Sequence, residues 1–540
     1  MPFLLLVFLA LVCLPEPDQD WPKPPWGSAP GIAVLLTVLT VIIASLSAQL
    51  LSYRVRLVLS PSARFRDLVL ERYERDRSRH QYLVFGLYLL VLLVFGWGNA
   101  VGRFWRIGDR LLPFAELVIL APFFISLLLS WSSFFDAERS LWSARHMDDG
   151  IENALARHED GGATAATFTD MPPQTIRLPD SLASRWGYLL FQARQKLALV
   201  SVPLGLLLIR KELGRQLPTG AGTRWEDVVI QILDFAAVLG AFALMPVIIR
   251  IVLGLTPLPD GPLVRRLLDT AKRLGFRCSG LLLWNTRRGM ANAMVVGILP
   301  WPRYVIFTDR LLEEFTPAEV EAVLGHEIGH IRHRHILFYL GFLLASIMVL
   351  VLAAGKFVPA PPAVAANEST PALEAEATAA PTGSESSWAA FFTLHNHPYL
   401  KALPLVSAMV AYLFIVFGFV SRRCERQADV FGCRTVSCPR SDCWGHEDGV
   451  ATGEGGHLCP TGIGTFIQAL EKVAIVNGLD REHPGFLQSW QHSTIAKRVA
   501  FLHQVMHEPS AEKKFQRRVL LLKCGLLLVL GLGMAALLLI

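Results

Sequence analysis

The chain has 540 residues, of which 52% are apolar and only 18% charged, with a mean hydropathy of +0.41. That balance excludes an ordinary soluble globular protein and predicts a polytopic helical membrane protein. The formal net charge of +6 reflects where basic residues flank apolar segments, so it gives no reason to expect a nucleic-acid partner.

Residues 1–30 open with a short apolar run over 3–15 that no positive charge precedes, so a signal peptide and a short first span are both open readings. Long apolar segments follow at about 31–52, 82–101, 112–132, 188–209, 227–254, 336–355, 398–420 and 519–540, each near the length that crosses a bilayer. The segment 188–209 is the weakest, because Arg194 and Lys196 interrupt its start. Residues 31–254 therefore read as an N-terminal transmembrane bundle with connecting loops at 53–81 and 132–187. Arg54, Arg56, Arg64, Arg66, Arg72, Arg75, Arg77 and Arg79 crowd the loop Ser52–Gln81, which assigns it to the cytoplasmic side. Alternation then puts 132–187, 255–335 and 421–518 inside, and 356–397 outside. Residues 357–390 are rich in Pro, Ala, Glu, Ser and Thr and lack Lys and Arg, as expected of a disordered loop that translocates. Asn367-Glu368-Ser369 in that loop is a glycosylation acceptor only in a secretory eukaryotic setting.

Between the spans at 227–254 and 336–355 the pattern changes. Leu263–Leu274 reads as an amphipathic helix, and β-type runs follow at Ser279–Trp284, Ala293–Val296 and Tyr304–Phe307. A small sheet thus precedes the next helix. Its expected edge is Asn292–Gly297, with Asn292 and Ala293 as candidates for holding an extended peptide by strand addition, and an ordinary hairpin as the alternative. Thr316-Pro317-Ala318-Glu319 is a capping box with Pro at the first helical position, and Phe315 is placed to staple onto Val320. Val320, Leu324, Ile328 and Ile331 form the apolar stripe of the helix that follows.

On that helix, Gly325-His326-Glu327-Ile328-Gly329-His330 sets two imidazoles at i and i+4 on one face, with a carboxylate beside the first. The spacing suits one Zn²⁺ held by His326 and His330, with Glu327 as general base toward a metal-activated water. Two solvated helix histidines are the bland alternative. Two ligands leave zinc underbound, and a third candidate lies in Ser421-Arg422-Arg423-Cys424-Glu425-Arg426-Gln427-Ala428-Asp429, at the same membrane face after two crossings. Glu425 can complete a His, His, Glu set, and Asp429, at i+4 from it, can support a ligand histidine through its other nitrogen. A surface charge paired with nearby arginines is the alternative for Glu425. His335 is read as a structural or membrane-interface residue.

HEIGH at 326–330 with the further His335, and ERQAD at 425–429 after two spans, resembles the integral-membrane metallopeptidases of the CAAX prenyl protease and HtpX type. The resemblance covers roughly 255–350 and 398–505. It implies a mainly α, polytopic helical membrane protein with a small α+β gluzincin-type metallopeptidase domain on the cytoplasmic side. It implies zinc ligation by His326, His330 and Glu425, general-base catalysis by Glu327 and a supporting role for Asp429. Gln491 to Val499 is similar to a downstream motif of that family, though Ser493 stands where proline is usual, and the likeness makes His492 and Arg498 candidates for stabilising the oxyanion or substrate carbonyl.

The expected organisation is then a peptidase segment at 255–335 that carries HExxH, a transmembrane hairpin at 336–420, a further peptidase segment at 421–518 with a Cys-rich insert at 433–459, and a C-terminal transmembrane helix at 519–540. Five of the eight cysteines lie between Cys424 and Cys459, a feature outside the resemblance. A second, structural metal held by Cys433, Cys438, Cys443 and Cys459, or by a histidine such as His446 or His457, competes there with free thiols and a redox-sensitive pair. Cys13, Cys278 and Cys524 are scattered packing residues.

The expected function is a zinc metalloendopeptidase acting on membrane-associated or misfolded proteins, with a protein or peptide substrate and the lipid bilayer as partners. If the source is bacterial, the inner membrane is its place. A membrane signal transducer and a non-proteolytic scaffold are the competing classes. The low-complexity outer loop argues against the first and the retention of Glu327 against the second.

Overall fold

The computed structural model describes residues 30–58, 63–108, 110–159, 184–216, 240, 243–286, 288–357, 408, 411–438, 443, 458–482 and 490–539. The expectations for residues 1–29, the start of the 227–254 span, the outer loop 356–397 beyond 357, and most of the 398–420 span lie outside these residues. Asn367, His446 and His457 do too. The chain divides into two compact units.

The first unit holds α1 (Pro30–Val58), α2 (Ala63–Leu93), α3 (Trp97–Phe104), a short hairpin of β1 (Arg106–Ile107) and β2 (Arg110–Leu111), α4 (Ala115–Glu159) and α5 (Arg185–Gln216). α1 buries a stripe of small residues, Ala33, Thr37, Thr40, Ala44, Ala48 and Ser52, while Leu35, Leu46 and Leu50 stay exposed. Small residues inward and large apolar ones outward is how a span packs on its neighbours and faces lipid. Two stretches read as connecting loops are helical here: α2 begins at Ala63 within 53–81, and α4 continues to Glu159 within 132–187. The arginines and glutamates there are good helix formers, and an ion pair of Arg77 with Glu138 joins the two charged extensions.

The second unit begins with α6 (Ala243–Leu253), β3 (Thr256–Pro257), α7 (Pro262–Arg273), β4 (Gly280–Trp284), β5 (Ala293–Val296), β6 (Tyr304–Thr308) and α8 (Asp309–Glu314). It continues with α9 (Pro317–Arg332), α10 (His335–Phe357), a π-helical turn over Leu413–Phe417 that leads into α11 (Gly418–Thr435), α12 (Pro460–Val476), α13 (Ile495–His507) and α14 (Pro509–Leu539). The sheet order is β3-β4-β6-β5. β4 runs parallel to β6, with Leu282 opposite Ile306, and β5 runs antiparallel to β6, with Val295 opposite Val305. β5 is therefore an edge strand, as its sequence suggested.

Alternation splits the sheet's side chains between two cores. Leu281, Ala293, Val305 and Phe307 pack with Val320, Leu324 and Ile328 of α9, whereas Leu282, Trp284, Tyr304 and Ile306 pack with Ile249 of α6. The stripe expected on α9 is the face that the sheet covers.

Among the described residues, three helices, Pro30–Val58, Ala115–Ser143 and Ser510–Leu539, are long and apolar enough to cross a membrane, and up to five crossings result if each of two bent pairs is one span. One pair is Pro317–Arg332 with His335–Leu350, bent by 43°. The segment 188–209 falls inside α5, which is not among these helices.

Candidate active site

α9 starts as its sequence dictates. Thr316 Oγ1 accepts from the Glu319 N–H at 3.3 Å and Glu319 Oε2 accepts from the Thr316 N–H at 2.8 Å, a complete capping box with Pro317 at the first helical position. Phe315 and Val320 are buried in one cluster, as the staple requires.

α9 then crosses α11 closely, because Gly325 and Gly329 face it. A Cβ on Gly325 would strike the Thr435 side chain, and one on Gly329 would lie 3.1 Å from Ala428 Cα and 3.0 Å from Phe431 Cβ. Two glycines one turn apart thus let the backbone of one helix approach the other. A buried carboxylate anchors the other flank of α9. Glu321 accepts from Arg266 Nε at 2.7 Å, Arg273 at 2.8 Å and Thr270 Oγ1 at 2.6 Å, all on α7. Arg273 also donates to the Thr435 carbonyl at 3.1 Å.

The close crossing brings Glu425 against the two histidines. His326 Nε2 and His330 Nε2 are 3.2 Å apart, and the Glu425 oxygens lie 3.7 Å from the first and 3.6 Å from the second. Four-coordinate zinc with bonds of about 2.0–2.1 Å sets its nitrogen ligands about 3.3 Å apart. The three donors fit a small divalent cation on this measure, and among the described residues they form one of two groups with metal-ligand geometry.

Charge partners hold the donors from behind. Asp429 Oδ1 lies 3.0 Å from His326 Nδ1, on the side away from the shared point, which suits a ring presenting Nε2 as a lone pair. Asp429 is fully buried, and Arg498 binds both its oxygens, through Nε at 2.9 Å and through a closer contact from Nη2. Burial pushes the Asp429 carboxyl up, but Arg498 and His326 outweigh it and hold it below the usual carboxylate range. Burial lowers His326 as well, and Asp429 with Glu425 more than reverses that, leaving the imidazole above its ordinary value. Glu425 is likewise held well below its usual range, His492, His330 and His326 overriding its burial. His330 has no carboxylate behind it, and burial lowers it to about 4.

His330 is supported instead by a residue that sequence reasoning misplaced. His335, read as a structural or interfacial residue, is fully buried, and its Nδ1 lies 3.0 Å from His330 Nδ1. Its Nε2 is 3.1 Å from Gln427 Oε1, which also accepts from Lys523 Nζ at 3.1 Å. With His335 as the Nε2–H tautomer, it accepts from His330 Nδ1–H and donates to Gln427, so His330 presents Nε2 as a lone pair. Arg334 permits this contact, because its φ of 53° breaks α9 and turns the next residue back over His330.

Glu327 sits between the donors and the sheet. Its Oε2 accepts from the Val295 N–H of β5 at 3.0 Å, and burial pushes its carboxyl up to about 7. The open edge of β5 therefore faces α9. On that edge the Ala293 N–H donates at 3.0 Å to Oδ1 of Asn292, while on the paired side the Asn292 N–H donates at 2.8 Å to Thr308 Oγ1 of β6.

The two downstream candidates separate. His492 is 60% exposed and places Nδ1 3.0 Å from Glu425 Oε2, which raises its pKa. Arg498 is buried with its guanidinium on Asp429, so it backs a carboxylate instead of meeting a substrate oxygen. Residues 490–492 are anchored by Trp490, whose Nε1 donates at 2.6 Å to the Phe414 carbonyl in the π-helical turn. Of the four cysteines named for a second metal, Cys438, Cys443 and Cys459 come together, and Cys433 packs in a separate core with Ile463 and Phe466.

The fold and the site combine helices apolar enough to cross a membrane with a His, His, Glu donor set beneath the edge of a small sheet, the make-up of the membrane metallopeptidase class. Residues 257–443 match the model for Peptidase family M48, and the chain is similar to membrane metallopeptidases of the CAAX prenyl protease and HtpX-like kind. It is 30% identical over 110 residues to CAAX prenyl protease 1 of Saccharomyces cerevisiae, covering 20% of this chain and 24% of the relative. It is 26% identical over 184 residues to the probable CAAX prenyl protease 1 of Schizosaccharomyces pombe, covering 33% of each. A protease HtpX homolog of Moorella thermoacetica is 47% identical over 45 residues, 8% of this chain and 15% of the relative. The alignments thus span a third or less of these relatives. The crystal structure of Ste24p from S. mikatae aligns over 89% of this chain and 99% of that one, at 18% identity and a TM-score of 0.41.

Proposed function

We propose that the chain is a zinc-dependent endopeptidase that cleaves membrane-associated or misfolded proteins at the cytoplasmic face of a membrane. His326, His330 and Glu425 would hold the zinc, and the observation that carries this reading is the convergence of their donor atoms with Glu327 beside them. When bound, zinc would supply a Lewis acid that polarises the scissile carbonyl and acidifies a water.

Glu327 takes a proton on its carboxylate and returns it to the leaving amine. A carboxyl raised toward neutrality by burial is suited to both steps, since it exchanges a proton at little cost near pH 7. The Val295 N–H fixes the orientation of that carboxylate and ties it to the strand that would receive the peptide. A substrate added along β5 would take the Ala293 N–H from the Asn292 side chain, so these two residues set the register of the bound peptide. His492, the exposed member of the site, is assigned to the developing oxyanion, and Arg498 to ordering Asp429.

Glu327→Gln tests the reading. It keeps the carbonyl acceptor for Val295 and removes the base. Purified variant should retain its zinc and lose peptide hydrolysis, and membrane proteomes of cells carrying it should accumulate uncut substrates relative to wild type. Normal cleavage by this variant would overturn the mechanism.

A further inference from the structure

The cysteines that the proposed peptidase chemistry does not use are arranged as a second metal centre. Cys438 follows the C-terminus of α11, Cys443 lies in the insert, and Cys459 is the N-cap of α12. Three separate points of the chain thus converge, and the sulfurs lie within 4.8 Å of one another. All three are buried thiols that form a cluster of their own, apart from the apolar cores.

We propose that Cys438, Cys443 and Cys459 bind a structural Zn²⁺ distinct from the peptidase centre. Zinc–sulfur bonds of about 2.3 Å put tetrahedral sulfurs about 3.8 Å apart, so small side-chain rotations close the site. The spacing between the first two, C-x₄-C, falls within the range that structural zinc sites use. The surroundings suit thiolates as well. Cys459 Sγ accepts the Gly462 N–H at 3.2 Å at the start of a helix, where the dipole favours negative charge. Thr461 Oγ1 donates to the Cys443 carbonyl at 3.1 Å, and Ser437 Oγ accepts the Cys459 N–H at 3.2 Å, so backbone bonds hold two of the three ligand positions. Packing alone does not account for the arrangement, since three thiols gathered on one another fill a core no better than alanine and valine would. The three thiolates supply three positions, and solvent completes the fourth. The centre would clamp the end of α11, which carries Glu425 and Asp429, to the start of α12, whose Phe466 stacks on His326.

The test counts zinc in purified full-length protein whose peptidase ligands have been removed. In a His326→Ala/His330→Ala variant the cysteines are untouched, and about one zinc per chain should remain, against about two in wild type. Adding Cys438→Ser or Cys459→Ser should remove it, while Cys433→Ser should not. Should those serine variants fold poorly, cobalt replaces them as a probe. Co²⁺ bound to the histidine double variant should show thiolate-to-cobalt charge-transfer absorption, which a His, His, Glu site cannot give. A histidine variant that holds no zinc and gives no such band overturns the proposal. So does a disulfide mapped between any two of the three cysteines in freshly purified wild-type protein. Failure of Glu327→Gln to abolish cleavage would leave this result standing, so the two readings fail independently.

Discussion

At the residue scale, the supporting partners of the proposed ligands set how the site should behave. Asp429 stabilises the protonated form of His326, so acid should strip zinc from the site starting above the ordinary imidazole value of about 6.5. Asp429→Asn removes that stabilisation, lowers the His326 pKa and moves the acid limb of zinc binding to lower pH. It also weakens the hold on the ring, so zinc affinity at pH 8 should fall by roughly 10–100-fold. Zinc titration of the metal-free chain across pH checks both effects, and an unmoved acid limb would remove Asp429 from the role. His335→Ala should likewise lower zinc affinity by about 10–100-fold, because His330 then loses the partner that fixes its tautomer. His335→Gln offers an acceptor again and should recover some of the loss.

The contrast between these two supports explains what was readable in advance. Asp429 was legible because Glu425 and Asp429 stand at i and i+4 on one helix, a relation that spacing alone reveals. His335 was not, because it is five residues from His330, which is no helical neighbour, and only the left-handed turn at Arg334 brings them together. Arg498 was named by resemblance and misread in its chemistry, since its partner lies 69 residues away in sequence.

At the scale of elements, the crossing of α9 on α11 is the feature on which the donor set depends. The capping box and apolar stripe of α9 could be read from the chain, whereas the glycines that precede the two histidines could not be given a reason until α11 lay against them. Gly325→Ala would drive a Cβ into Thr435, in a core with no room to yield, and should cost about 1–3 kcal/mol. The loss of zinc affinity should exceed that of Thr316→Ala, which removes only the cap and costs about 1 kcal/mol. Denaturant unfolding together with zinc titration separates them: the cap variant should lose stability alone, the glycine variant both. Equal effects on zinc would mean that the crossing does not set the site. Glu321 belongs to the same scale and left no signal in the sequence, because a buried carboxylate with three donors on α7 looks, in a string of letters, like any surface glutamate.

At the scale of the molecule, the cytosolic side proposed for the site rests on where charge meets each apolar helix of the second unit. Arg332 and Arg334 stand just before α10, Arg422, Arg423 and Arg426 follow the π-helical turn, and Lys513, Lys514, Arg517 and Arg518 precede the apolar stretch of α14. All three clusters are on the side that carries His326 and Glu425, whereas Lys356 is the lone basic residue at the far end of α10. Positive charge is retained on the cytoplasmic side during insertion, so the peptidase face should be cytosolic. Lys272 on α7, whose side chain is 79% exposed, offers a place to test this. Lys272→Cys should react with a membrane-impermeant maleimide in inside-out vesicles, and in intact cells only after permeabilisation, measured as labelling above that of the native cysteines. Labelling of intact cells would put the site on the opposite face. Its substrates would then have to be sought among exported proteins, while the donor geometry and the role of Glu327 would stand unchanged.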